Sequence, residues 1–127
     1  MLWIVALGSA VGGAARYLAG TAAARVFGTA FPIGTLLINL SGSLAIGVLM
    51  RWSFHGGHSP AIRAFLTIGV CGGYTTFSAL TFETIALAQD GAWGKAVGYA
   101  GGSLLLGLLA TGAGLALGDQ LGLGGNG

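Results

Sequence analysis

The chain has 127 residues, 54% of them hydrophobic and only 6% charged, with a mean hydropathy of +0.86. Soluble domains carry about 25% charged residues, so this composition cannot clothe a water-facing surface and the chain is read as an integral membrane protein. The net charge of +2 comes without a basic run, which leaves a nucleic-acid partner unsupported, and the single cysteine, Cys71, excludes an internal disulfide.

Met1-Leu2-Trp3-Ile4 lacks the basic start of a signal peptide, so the first apolar segment reads as a retained helix. A spanning helix needs about 20 mostly apolar residues. Four segments qualify: Leu2 to Ala24, which contains Arg16, then Phe31 to Met50, Pro60 to Leu87 and Lys95 to Leu117. This predicts an all-α, single-domain, four-helix membrane protein over residues 1–127, with short links and a flexible Gly-rich tail over 119–127. Arg25 and Lys95 flank the spans on one side, Arg51 and Arg63 on the other. Loop charge therefore favours neither orientation. Opposed copies in an antiparallel dimer, or one orientation fixed by other cues, both fit. Gly8/Gly12, Gly98/Gly102 and Gly114/Gly118 have the small-xxx-small spacing of closely packed membrane helices.

In the second span Thr35, Asn39 and Ser43 recur every four residues and share a face. Such polar groups at membrane depth serve either as glue between helices or as a site. The third span is interrupted by Gly72-Gly73-Tyr74-Thr75-Thr76-Phe77-Ser78, so the helix is expected to break near its centre, at Gly72 and Gly73. Irregular backbone is tolerated in a membrane only where it is buried in protein or lines a watery cavity, and carbonyls freed by a break coordinate Na⁺. Glu83 follows about two turns beyond the Thr pair, placed to pair with a basic group or to cap a pathway mouth. The fourth span repeats the four-residue period with Tyr99, Ser103, Gly107 and Thr111. Two uncharged donor stripes suit a loosely held anion. Arg16, the one cation deep within a span, either snorkels to the interface or lends positive potential to a vestibule. His55 and His58 have no acid or thiol cluster beside them, so no metal site is expected there.

Gly12-Gly13-x-x-Arg16-Tyr17, Gly34-Thr35-x-x-x-Asn39-x-x-Gly42 and Gly69-x-x-Gly72-Gly73-x-Thr75-Thr76-Phe77-Ser78 occur in that order. With four spans of this length, they resemble the bacterial Fluc/CrcB family of fluoride channels. The resemblance implies a multi-pass protein of the bacterial inner membrane that forms an antiparallel, dual-topology homodimer in the lipid, with two pores. It implies passive, selective export of fluoride, which relieves its toxicity. It further implies a structural, untransported Na⁺ held by the backbone carbonyls of Gly72 and Thr75. By the same resemblance Asn39, Thr35, Phe77, Ser78, Tyr99, Ser103 and Thr111 belong to the fluoride pathway, and Arg16 matches the first-helix arginine. The family's second phenylalanine, three residues after the first, is here Leu80. Phe82 lies about 200° around the helix from it. A small proton-coupled multidrug exporter of dual topology is the rival of the same size, but it needs a carboxylate in the first helix, where this chain has only Arg16. A non-transporting scaffold subunit has no need of polar tracks, and no catalytic constellation marks an enzyme.

Overall fold

The computed structural model describes residues 1–123, all of whose regular structure is helical. Helix α1 runs over Leu2–Phe27, α2 over Ile33–His55 and α6 over Trp93–Gln120. Between α2 and α6 the third span, Pro60–Gln89, is composite. It opens with α3 (Pro60–Ala64), widens into a π-helical segment (Phe65–Cys71), resumes as α4 (Gly72–Tyr74) and ends as α5 (Phe77–Gln89). All four spans are long and apolar enough to cross a membrane. The ends exceed the apolar windows read from sequence: α2 continues through Arg51, Ser53 and His55, and α6 through Asp119 and Gln120. Polar residues in the outermost turns do not end the helix: His55 is exposed, and the buried Ser53 donates to Met50 O at 3.1 Å. The predicted tail therefore does not begin at Asp119, and its last part, 124–127, lies outside the described residues.

Glycine seams hold the helices together, because lipid offers little hydrophobic drive for helix pairing and close backbone contact must supply it. A Cβ on Gly8 would sit 2.5 Å from Phe65 O and 2.9 Å from Gly69 Cα, and one on Gly12 would collide with Val70 O. The π-helical widening lies in this contact region. On the other side α2 crosses α6 where Gly47 meets Gly114, with 2.9 Å between the would-be Cβ of Gly47 and Gly114 Cα. Gly118 fits under the Arg51 stem, whose guanidinium Nε reaches Asp119 at 3.0 Å. Two of the three predicted glycine pairs thus form seams within the protomer. Gly98/Gly102 does not: a Cβ at either position meets nothing within 4 Å.

The break also lies elsewhere than the glycines indicated. Gly72 is helical, with φ −63° and ψ −37°, while Thr75 (φ −79°, ψ 157°) and Thr76 (φ −146°, ψ 114°) are extended. The glycines are there for packing: a Cβ on Gly73 would lie 2.7 Å from Ser9 O. Side chains of α2 impose the break three residues later.

Candidate functional site

Asn39 grips Thr76 at two points. Its Oδ1 accepts from Thr76 N at 2.8 Å and its Nδ2 donates to Thr76 O at 3.0 Å. One turn further along α2, Gly42 makes room for the displaced chain, since a Cβ there would strike Thr75 Cγ2 and approach Tyr74 Cδ1 to 3.1 Å. Asn39-x-x-Gly42 is thus the cradle of the break. Thr76 completes it from the other side: its Oγ1 accepts from Ala79 N at 3.2 Å and caps the N-terminus of α5.

These two bonds decide which carbonyls are freed. In a continuous helix Gly72 O would receive Thr76 N–H, and Thr75 O would receive Ala79 N–H. Both donors are instead taken by side-chain oxygens, those of Asn39 and Thr76. Among the described residues Gly72 O and Thr75 O receive no backbone donor in exchange. Uncharged carbonyl oxygens left without donors are the ligands a hard monovalent cation takes, so the residues present fit the Na⁺ that the resemblance implies.

Beside the break lies an open groove of about 740 Å³. Asn39 and Ser43 of α2 line it, with Ser103, Gly107 and Thr111 of α6 and Thr75, Phe77 and Leu80 of the third span. No charged side chain is among its lining residues. Ser103 is 8% exposed and its Oγ has no hydrogen-bond partner. Ser43 and Thr111 likewise donate to no other group among the described residues, and Asn39 keeps one amide proton unspent. Four unspent donors therefore recur along the α2–α6 wall.

A second cavity, of about 470 Å³, holds Arg16, Thr35 and Ser78 of the remaining predicted residues, while Tyr99 and Glu83 line neither cavity. Arg16 lines it with Thr35, Ser78 and Phe82, and Thr76 lines both cavities. The α2 stripe is thus divided at the Asn39–Thr76 clamp, with Thr35 in the second cavity and Asn39 and Ser43 in the groove, so the polar residues do not form one uninterrupted track within the protomer. Leu80 faces the groove, whereas Phe82 faces the Arg16 cavity. Phe77 is 78% exposed, projecting from the start of α5.

Glu83 pairs with no basic group; Arg51–Asp119 is the ion pair among the described residues. Hydroxyls hold it instead. Thr35 Oγ1 donates to its Oε1 at 2.7 Å and Tyr99 Oη to its Oε2 at 2.5 Å. Tyr99, only 2% exposed, is fixed further by an edge-on contact with Phe31, 5.5 Å between ring centroids. Sequence reasoning missed this triad and the double role of Thr76. The signals were a lone acid among hydroxyls at span depth and a threonine immediately before an apolar helical run.

A model of the CrcB-like protein, Camphor Resistance (CrcB) family matches residues 3–115. A fluoride-specific ion channel FluC from Thermus thermophilus is 48% identical over 118 residues, 93% of this chain and 93% of its own. One from Methylobacterium nodulans is 44% identical over 120 residues, 94% and 96% of the two chains. One from Caulobacter vibrioides is 44% identical over 116 residues, 90% and 91%.

Proposed function

The chain belongs to the CrcB-like family of membrane proteins, and from that premise we propose that it is a passive, fluoride-selective anion channel of the bacterial inner membrane. The observation that carries this reading is the uncharged groove with unspent donors at Asn39, Ser43, Ser103 and Thr111. Fluoride is small and strongly hydrated, and a pore passes it by replacing water with several donors in series, none strong enough to trap it. Amide and hydroxyl protons meet that need. Phe77 adds the electropositive edge of its ring. Arg16, in the neighbouring cavity, raises the local anion concentration without standing in the groove. Thr35, Ser78 and Tyr99 belong to this Arg16 end of the pathway, where Glu83 orients two of the hydroxyls. An inside-negative potential drives the anion outward with about 2.3 kcal/mol per charge per 100 mV, so no chemical step or coupled ion is needed.

The groove is open on one side and Phe77 is bare, so a second copy completes the pathway. Balanced loop charges support an antiparallel pair, which gives two equivalent pores. Opposed copies bring the Gly72 and Thr75 carbonyls of both breaks together around a structural Na⁺ that is not transported.

The test is fluoride efflux from liposomes holding the purified protein alone, followed with a fluoride electrode against matched chloride efflux. Fast fluoride release with chloride retained is expected. Equal release of both ions, or none of either, overturns the proposal. Crosslinking between single-cysteine variants at opposite helix ends tests the antiparallel arrangement separately.

A further inference from the structure

The hydroxyls around the groove are of two kinds. Those of Ser43, Ser103 and Thr111, on α2 and α6, donate to no other group among the described residues, and Ser103 Oγ is buried without a partner. Four threonines of the third span have spent their hydroxyl protons on their own helix, whereas Thr76 at the break shares a proton with Ser78 Oγ at 3.4 Å. Thr67 Oγ1 donates to Arg63 O at 2.8 Å, Thr75 Oγ1 to Cys71 O at 3.1 Å, Thr81 Oγ1 to Ser78 O at 3.0 Å and Thr84 Oγ1 to Leu80 O at 2.7 Å. A hydroxyl has one proton and two lone pairs. Once the proton is committed, only lone pairs remain to offer the groove. The α2–α6 side therefore donates, and Thr67, Thr75, Thr81 and Thr84 of the third span offer lone pairs.

Hydroxyl oxygens whose protons are committed elsewhere turn lone pairs to the groove, which repel an anion and replace water around an alkali cation. We propose that Thr67 and Thr75 form an oxygen-lined approach along the third span, leading a monovalent cation to the freed carbonyls of Gly72 and Thr75. The two threonines and Gly72 between them line the same groove. Gly72 is exposed, and a Cβ there would meet nothing nearer than Thr67 O at 3.9 Å, so the space over it is open. No lysine or arginine lines the groove to oppose a cation. The cation and the anion thus share one cavity, on different helices. This inference rests on the reading of the break as a cation site and adds the side chains that serve it.

The experiment is equilibrium binding and exchange of ²²Na⁺ on the purified full chain, with fluoride efflux recorded in parallel. Thr75→Val and Thr67→Val remove one acceptor oxygen each. Weaker Na⁺ binding in Thr75→Val, on the order of ten-fold, and slower exchange in Thr67→Val are expected, with Thr→Ser at either position restoring both. Ser103→Ala, on the donor wall, lowers fluoride efflux and leaves ²²Na⁺ binding as in the parent. If a valine variant does not fold, Thr75→Cys replaces the hard oxygen with sulfur of similar size. Binding then shifts from Na⁺ toward Tl⁺, because soft ligands favour soft ions. A parent chain that binds no ²²Na⁺ refutes the cation site and this inference with it. A parent that binds ²²Na⁺ while the valine and cysteine variants match it in affinity, exchange rate and Tl⁺ preference overturns the threonine approach alone.

Discussion

Replacing Asn39 tests the geometry on which the site is built. Asn39→Leu keeps the branched shape and removes both bonds to Thr76; Asn39→Ala leaves a void as well. Losing both bonds leaves Thr76 N–H and C=O unpaired, at a cost of about 1–3 kcal/mol for each group. Thr76 is only 9% exposed, so water offers little relief. One process offsets the loss: the released Thr76 N–H can return to Gly72 O and straighten the span. The net cost is therefore about 2–5 kcal/mol, with Asn39→Ala above Asn39→Leu. Unfolding in mixed micelles, titrated with a denaturing detergent and followed by tryptophan fluorescence, measures it. Straightening also predicts a gain in helicity and loss of Na⁺ dependence in whatever fraction remains folded. If Asn39→Leu unfolds within about 0.5 kcal/mol of the parent and retains its Na⁺ dependence, the clamp does not hold the break and the reasoning fails.

Gly114→Ala places a methyl against Leu44 O and is expected to cost about 1–3 kcal/mol in the same assay. Gly112→Ala, which meets nothing within 4 Å, should cost nothing or add up to about 1 kcal/mol. Equal effects would remove the seam as the explanation. Glu83→Leu and Tyr99→Phe should each destabilise by about 1–3 kcal/mol, but together by less than their sum, because a single hydrogen bond is lost in common; a strictly additive double mutant refutes the triad. Leu80→Phe puts a second ring edge into the groove beside Phe77. With about 1 kcal/mol from such a contact, fluoride efflux should rise about five-fold, and an unchanged rate shows that Leu80 is no handicap.

The spans were legible because a bilayer demands long apolar windows and the chain has four of them. Their ends were less so, since hydropathy marks the oil and not the helix: Arg51, Ser53 and His55 are polar yet helical. The break was placed at Gly72 and Gly73 by local propensity, whereas tertiary contact decides it. Gly73 serves Ser9 across a helix seam, and Asn39, distant in sequence, draws Thr76 N–H away from Gly72. Four-residue spacing put Thr35, Asn39 and Ser43 on one face of α2, but could not reveal that the clamp divides that face between two cavities. Glu83 was visible as the lone acid within a span; its partners were not, because Thr35 and Tyr99 come from two other helices.

That division bears on how an anion can be both attracted and released. A guanidinium about 4 Å from an anion at an effective dielectric constant near 20 would hold it by about 4 kcal/mol, slowing its exit about a thousand-fold. Arg16 would impose that penalty if it lined the groove. It lines the other cavity, with Thr76 and its Asn39 clamp at the partition. The same side chain that frees the Gly72 carbonyl by taking the Thr76 N–H therefore also helps separate the positive vestibule from the neutral groove. Under the proposed function, Asn39 ties cation binding at the break to anion passage beside it. Its removal should degrade both together, in contrast to Ser103→Ala, which should affect the anion alone.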